Sequence, residues 1–588
     1  MKIITVAPFK GGIKKELTYF SKTEIPLGSI VSVPILKKET DALVVDIKDL
    51  REYKSAVKIS DFSFKKIKEI KGKPFWSEEF FRAILRAQKY FARPLGELIE
   101  AFIPKSFLDN HDKLATEQGK NIQTKDNLKS EKLALQLPIE ERLDFYKTFI
   151  RQSFAKKSSI IFCLPRISDV KYFSEKLSTG LEQYSFALHS EFPSKKQLES
   201  YKKIMSIDHP VIVFCTASFL SIPRKDLGAL IIEKESSPAW EAISSSIDNK
   251  TFAEILTQEL NIKIIFADTL LSLKTVERHN QGELNELLPL KFRLTQMPEI
   301  IKQEDTSILE VTTFRMIQQS LTGQAFLFAL RKGLATFTVC HDCKSVHTCQ
   351  KCDKPLVLHE KLKKIFVCHN CKKEEEAETK CKNCQSWNLI PLGFGQEAVY
   401  EEIKKDFPNR KVILFKKEKD LKGFFETPGA ILIGGENALN NLPQKVQNGA
   451  IISFDTLFNI PDYEMNEKIV RIVSELCEKT EKKIIIQTKR DFELKENLLD
   501  FVREELVLRK KYNYPPFVRF IELIFPLNKL GRKILTEFED LAPEEWLEGK
   551  KMKLILKVPI AEWNIKSVNQ ELLEKLMKLP PSVLVRVI

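Results

Sequence analysis

Residues 340–384 read CHDCKSVHTCQKCDKPLVLHEKLKKIFVCHNCKKEEEAETKCKNC, and their eight cysteines fall into four Cys-x-x-Cys pairs. The pairs are Cys340/Cys343, Cys349/Cys352, Cys368/Cys371 and Cys381/Cys384. Two intervening residues let both sulfurs of a pair turn toward one ion, and two pairs complete a tetrahedral site with bonds of about 2.3 Å. Four pairs predict two structural zinc ions, with no thiol left over and no open coordination position for catalysis. A disulfide framework would need an oxidising compartment. Spacing leaves sequential, nested and interleaved pairings open. His341, His347, His359 and His369 lie nearby, but with eight thiolates available they are expected at the surface or behind the ligands. Cys163, Cys215 and Cys477, each isolated in apolar or helical context, are expected in cores.

On both sides of this stretch, short β-rich runs alternate with helix-like segments. They are 159–164, 211–216, 229–233 and 263–267 before it, then 325–329, 411–415, 430–433, 449–454 and 483–487. That alternation is the signature of parallel sheets with helices on both faces. Two in tandem predict two α/β lobes, 138–300 and 301–510, the second interrupted by a cysteine-rich insertion over 338–394. Residues 1–107 open with strand-like runs at 3–8, 30–34 and 42–47. A helical pattern follows at 78–93, with Phe80, Phe81, Ile84, Leu85 and Ala87 on one face, and a second helix at 95–102. Residues 108–137 turn polar and read as a linker. A C-terminal domain over 511–588 begins around Tyr514-Pro515-Pro516.

A chain of 588 residues exceeds one hydrophobic core. No apolar run approaches the ~18 residues of a membrane span. The opening MKIITVAPFKGG lacks the apolar core and cleavage site of a signal peptide. The expectation is a cytoplasmic protein without a membrane partner, where cysteines stay reduced and favour metal. Net charge is +14, and residues 1–107 hold 21 Lys/Arg against 13 Asp/Glu, so +8 sits in less than a fifth of the chain. Basic surfaces attract phosphate backbones and release their counterions, so charge alone leaves a nucleic-acid partner and a merely solvated lysine-rich surface evenly balanced.

Three stretches carry a family resemblance. The central one runs LRKGLATFTVCHDC…CQKC…FVCHNC…KCKNC…LIPLGFGQEAVYEEIKKDFP, and LRKKYNYPPFVRF (508–520) follows downstream. Upstream lies YFARPLGELIEAFIPKSF (90–107). Along nearly its whole length the chain resembles the PriA family of replication-restart helicases, also called primosomal protein N′. The resemblance implies a multidomain α/β protein: an N-terminal β-rich domain that binds DNA 3′ ends, two RecA-like α/β lobes, a double-zinc insertion in the second, and a small α+β C-terminal domain. It implies a nested zinc pairing, with Cys340, Cys343, Cys381 and Cys384 on one ion and Cys349, Cys352, Cys368 and Cys371 on the other. The family's winged-helix domain has only the 30 or so residues of 108–137 to occupy, too few for a packed domain, so it is read as lost.

The ATP machinery of a helicase is missing, which makes both lobes degenerate. Phosphoryl transfer needs a glycine-rich loop with Lys and Ser/Thr beside the phosphates. No G-x-x-x-x-G-K-[ST] occurs. In its place stands PIEERLDFYKTFIRQSFAKKS (138–158), which has no glycine; its Lys147-Thr148 reads as helix surface. Glu233-Lys234-Glu235-Ser236 replaces the family's Asp-Glu-Glu-His box, with Lys234 a competing cation beside any magnesium on Glu233. DTLLSL (268–273) replaces the Ser-Ala-Thr coupling motif, and ILIGGENALNNLPQ (431–444) the Gly-Thr-Gln loop. VRIVSELCEKTEKK (470–483) keeps Arg471 as the only arginine of the segment that would supply transition-state charge. No catalytic or nucleotide-binding residue is assigned, and neither helicase nor ATPase activity is expected.

For DNA, the family's 3′-end pocket falls on Thr18, Leu36 and Lys65, of which only the lysine keeps the family's residue type. Lys65, Lys66 and Lys68 are candidate phosphate contacts, and Tyr19 a base-stacking candidate set against a core role. Phe366 and Trp387 are further stacking candidates, with packing against the knuckles the expected role for both. The resemblance implies a scaffold that binds branched or single-stranded DNA at stalled forks and recruits single-strand-binding protein or primosome components without unwinding. Against it stand an active 3′–5′ helicase with a divergent nucleotide site and a zinc-stabilised protein-interaction module.

Overall fold

The computed structural model describes residues 2–9, 16–35, 38–49, 65–115, 130–241, 247–304, 307–330, 337–340, 342, 343, 345, 347–350, 356–360, 364–368, 373–376, 380–392, 395–452, 454–459, 462–548 and 551–588. Leu36, His341, Cys352, His369 and Cys371 therefore lie outside the described residues, as does 116–129 of the expected linker. The chain divides into two compact units. One comprises residues 1–290, 515–523 and 556–588; the other comprises 291–514 and 524–555.

In the first unit, an antiparallel five-stranded sheet forms the N-terminal domain. Its order is Leu17–Ser21, Lys2–Pro8, Lys38–Asp49, Ile30–Ile35 and Glu69–Gly72. One face buries Ile4, Val6, Val31, Val33 and Val44, and Ile3, Ala7, Ile30 and Leu43 are buried on the other, so the middle strands are covered on both sides. The helix Glu78–Phe91 starts at Ser77, whose side chain accepts from the Phe80 amide, and ends at Ala92 in the left-handed region, φ 48°. It leans on the helix Asn249–Glu259 of the neighbouring lobe. There Arg86 meets Glu259 at 2.6 Å and Phe80 meets Phe252 edge-on at 5.8 Å.

That first lobe is a seven-stranded, wholly parallel sheet. The order is Asn285–Glu286, Lys132–Gln136, Lys263–Asp268, Leu227–Glu233, Ser159–Cys163, Ile212–Cys215 and Ser185–Leu188. Every residue of Leu227–Glu233 and of Ser159–Cys163 is buried, as strands covered on both faces must be. Here the linker expectation needs correction. Lys132–Gln136 is a strand of this sheet with four of its five residues buried, and His111–Ala115 forms a short helix. Only Leu133, Ala134 and Leu135 are apolar in that strand, too short a run to stand out of its polar surroundings.

The second unit carries a six-stranded parallel sheet, ordered Glu299–Lys302, Thr480–Thr488, Val446–Ile451, Ala325–Phe328, Ile431–Gly434 and Val412–Leu414. Glu299–Lys302 pairs with Thr480–Thr488, so the second lobe begins before residue 301. Between Ala325–Phe328 and the helix Gln396–Asp406 the chain leaves the lobe for the cysteine-rich excursion. An antiparallel ladder of Phe337–Cys340 with Leu389–Leu392 closes its base, and Val357–Glu360, Lys364–Val367 and Glu374–Glu376 form a three-stranded sheet within it. The C-terminal strands Val518–Pro526, Glu544–Glu548, Lys551–Pro559 and Leu584–Val587 make a four-stranded sheet, through which the division between units passes. Among the described residues, no helix is long and apolar enough to cross a membrane.

Candidate zinc centre and the strand-end edge of the first lobe

The ladder at the base of the excursion sets Cys340 opposite Leu389, which brings the first and last Cys-x-x-Cys pairs together. The four sulfurs of Cys340, Cys343, Cys381 and Cys384 all lie within 4.8 Å of one another. Cys340 Sγ is 3.4 Å from Cys384 Sγ, and Cys343 Sγ is 3.5 Å from Cys381 Sγ. A tetrahedral ion with bonds of about 2.3 Å sets its sulfurs roughly 3.8 Å apart, so the cluster has the size zinc needs. Each pair is held in its turn by its own backbone: the Cys340 amide donates to Ser345 O at 2.9 Å and the Cys381 amide to Ser386 O at 2.8 Å. The Ser345 hydroxyl and amide hold the Cys343 thiol down to about 5. Cys384, although the Ser386 amide lowers it, is pushed up to about 12 by the sulfurs of Cys340, Cys343 and Cys381. Four thiols this close cannot all ionise without a cation between them, and a divalent metal supplies one.

Of the second expected set, Cys349 and Cys368 sit in one buried cluster with Leu356 and Phe366. Phe366 therefore packs, as expected. His347 is buried against Phe366, ring centroids 5.0 Å apart, and is not part of the four-sulfur cluster. Trp387 departs from its expected packing role: it is 65% exposed, two residues beyond the knuckle turn. Cys163, Cys215 and Cys477 are buried in the lobes.

In an open α/β sheet, ligands bind at the carboxyl ends of the strands, and phosphates sit on helix N-termini. In the first lobe that edge is filled by the protein's own charges. Lys132–Gln136 passes through Leu137 and Pro138 into the helix Ile139–Ala155. Pro138 has no N–H to offer, and Glu140 and Glu141 put negative charge in the first turn, which suits the helix dipole and repels an anion. Arg142, fully buried, reaches back across the turn. Its Nη1 donates to the Leu137 carbonyl and to Thr269 Oγ1 at 2.8 Å. Its Nε and Nη2 donate to Glu233 Oε1 at 3.0 and 2.7 Å, and the Tyr146 hydroxyl donates to Glu233 Oε2. Burial raises the Glu233 carboxyl above its ordinary value, and Arg142 and Tyr146 work against that.

The neighbouring strand ends are matched in the same way. Lys234, at φ 56°, turns out of the strand to Asp169 at 2.8 Å. Glu235 accepts from Lys250 Nζ at 2.7 Å and from the Ser272 amide at 2.8 Å. Asp268 accepts from the Ser236 amide and hydroxyl at 2.8 and 2.7 Å. Lys147 and Thr148 are exposed on the helix, as read from sequence, with Lys147 on Asp144 at 2.9 Å. In the second lobe Arg471 is 2.9 Å from Glu436, the residue that opens the helix after Gly434-Gly435. Sequence reasoning missed Arg142 and Tyr146. The available signal was an arginine on the same helical face as Ile139, Leu143, Tyr146 and Ile150, all buried.

In the N-terminal domain, Lys65, Lys66 and Lys68 are exposed. The Phe20 amide donates to Lys65 O at 3.1 Å, and the Ile67 amide to Phe20 O at 3.2 Å, so this lysine run lies along the edge strand Leu17–Ser21. Lys68 Nζ is 3.3 Å from Glu39. Thr18 is exposed on the same strand. Tyr19 is 4% exposed, packed in the sheet's core with its hydroxyl donating to Pro34 O at 3.1 Å. A ring so enclosed has no face for a base, which corrects the stacking assignment in favour of the core role.

Residues 3–104 match the family described as the 3′ DNA-binding domain (3′BD) of PriA. The replication restart protein PriA of Borreliella burgdorferi is 22% identical over 418 residues, covering 66% of this chain and 63% of that protein. PriA of Bacillus subtilis is 24% identical over 410 residues, covering 64% and 51%. PriA of Helicobacter pylori is 24% identical over 551 residues, covering 88% and 86%. The chain thus spans between half and two thirds of the length of the first two. Among solved structures, Mss116p bound to single-stranded RNA and AMP-PNP is 12% identical with a TM-score of 0.39, covering 75% of this chain and 76% of that one. The helicase MrfA bound to DNA and AMPPNP is 10% identical with a TM-score of 0.34, covering 79% and 57%.

Proposed function

We propose, from the premise that this chain belongs to the PriA family, that it binds branched or single-stranded DNA at stalled replication forks and helps assemble the restart machinery there, without ATP-driven unwinding. One observation carries the second half of the reading. The turn that would grip phosphate is closed by Arg142, and the carboxylate that would hold magnesium, Glu233, is bonded to Arg142 and Tyr146. Phosphoryl transfer is catalysed almost entirely by positioned charge. A site whose charges are already satisfied internally has none to offer a nucleotide. Extracting Arg142 to admit one would leave Glu233 buried and unpaired, a cost of roughly 3–5 kcal/mol before any ligand is bound.

The first half rests on the exposed lysines at 65, 66 and 68, on a net charge of +14, and on family membership. The two zinc ions are structural: they hold the excursion in shape and take no part in chemistry. Single-strand-binding protein and primosome components are the partners this role calls for. The test is affinity of the pure protein for forked, single-stranded and duplex DNA, measured with and without magnesium and ATP, alongside hydrolysis. DNA affinity indifferent to ATP, with hydrolysis at background, is the expected result. DNA-stimulated ATP turnover would overturn the reading.

A further inference from the structure

Trp387 stands out on the surface of the excursion. It is 65% exposed, although a large aromatic side chain usually stays where it can bury most of its area. Its backbone is fixed from both sides. The Cys381 amide donates to Ser386 O at 2.8 Å, the Gln385 amide to Cys381 O at 2.9 Å, and the Leu389 amide to Trp387 O at 2.8 Å. Asn388 donates its own amide to Ser386 Oγ at 3.0 Å and its side-chain nitrogen to Asp342 at 3.1 Å. That last bond ties the Trp387 turn to the opposite knuckle, which carries Cys340 and Cys343. The ring is therefore presented by a pinned turn, so docking a flat partner on it costs little further ordering.

Charge decides what that partner is. The Lys380 ammonium lies 5.0 Å from the Trp387 ring centroid, and the stretch 380–389 holds two lysines and no acid. The other strongly exposed tryptophan, Trp546 at 56%, has a mixed setting: it follows Glu544 and Glu545 in the strand Glu544–Glu548 and stands opposite Lys553 of the paired strand. A polyanion is drawn to the Trp387 ring by Lys380 and Lys382, whereas acids and lysines offset each other around Trp546. We propose that Trp387 is a stacking platform for an unpaired base of single-stranded DNA, with Lys380 beside the adjoining phosphate. Stacking needs only a π face, so the platform takes any base, and paired bases inside a duplex are closed to it. This deepens the DNA reading above and rests on it.

The test uses the full-length, zinc-loaded protein and a labelled oligo(dT), with affinity measured at several salt concentrations. Trp387→Ala weakens binding about tenfold, while the slope of log affinity against log salt stays the same because phosphate contacts are untouched. Trp387→Phe keeps most of the affinity, and Trp546→Ala leaves it unchanged. Zinc content equal to that of the parent shows that the knuckle survives each substitution. Trp387→Ala binding as tightly as the parent, with zinc intact and a steep salt slope in both, overturns the platform and leaves the DNA reading standing. A parent protein with no affinity for oligo(dT) overturns the platform, and one with none for forked DNA as well overturns the DNA reading too.

Discussion

Arg142 shows how much one residue decides. Its side chain and that of Glu233 are 1% and 0% exposed, so the pair has left water completely. Two buried charges attract strongly only while both are present, and removing one leaves the other stranded. Arg142→Met should therefore destabilise the first unit by about 3–5 kcal/mol. Adding Glu233→Gln should recover most of that loss, read as the denaturant midpoint of each variant. A loss under about 1 kcal/mol for Arg142→Met would show that the network does not hold the edge closed. Glu254 makes a second case. Burial alone would raise its carboxyl; Arg278 and Lys132, each at 2.6 Å, reverse that and hold it at about 2. A carboxyl depressed from 4.5 to about 2 adds stability that is complete above pH 4.5 and is lost as pH falls toward 2. The shift corresponds to roughly 3 kcal/mol. Glu254→Gln should lower stability at neutral pH and flatten its fall between those limits. Neither network was legible in the sequence: Arg142 and Glu233 lie 91 positions apart, and only the parallel sheet makes them neighbours.

Among the elements, the knuckles were the most legible, because Cys-x-x-Cys states its own chemistry. The fully buried strands came next. Four of the seven strands of the first lobe and five of the six in the second were visible as short β-rich runs, such as those in Leu227–Glu233 and Ile431–Gly434. Those missed in the first lobe, Lys132–Gln136, Ser185–Leu188 and Asn285–Glu286, are short and mixed in polarity. Their place comes from hydrogen bonding to strands already there. Glu69–Gly72 is exposed at every residue and exists only as a partner to Ile30–Ile35. The excursion is the converse case: among its described residues the base ladder has four residue pairs, and Leu356 and Phe366 are buried with Cys349 and Cys368. A structural zinc contributes on the order of 10 kcal/mol, enough to offset much of the ordering entropy of such a segment. Chelation should abolish amide-exchange protection across 337–392 while the strands of the parallel sheets keep theirs. Metal analysis should give two zinc ions per chain, falling to one for Cys381→Ser. Protection unchanged by chelation would mean that the excursion folds without metal.

Within the first unit, the N-terminal sheet and the first lobe are joined by contacts no local pattern reveals. Phe102 stacks on Phe252 at 3.6 Å, Arg82 and Arg86 share Glu259, and the Trp563 indole donates to Tyr90 O at 2.9 Å from the far end of the chain. The ion pairs are half exposed and worth little alone, so the buried aromatic contacts carry the joint. The N-terminal sheet and the first lobe accordingly fall in one compact unit. The net charge of +14 was legible from the start, but its meaning depends on which cations lack an acid within reach. Lys68 has Glu39 at 3.3 Å, so it adds less to a phosphate track than Lys65 and Lys66, which extend from the same edge. Each phosphate neutralised on a single strand contributes about 0.7 to the slope of log affinity against log salt. Replacing Lys65 and Lys66 by alanine should therefore lower that slope by about 1.4, whereas Lys68→Ala alone should change it by less than 0.7. Both variants should bind different single-stranded sequences with equal loss, because phosphates carry no sequence. A double variant whose slope matches the parent's would place the DNA on another face of the molecule.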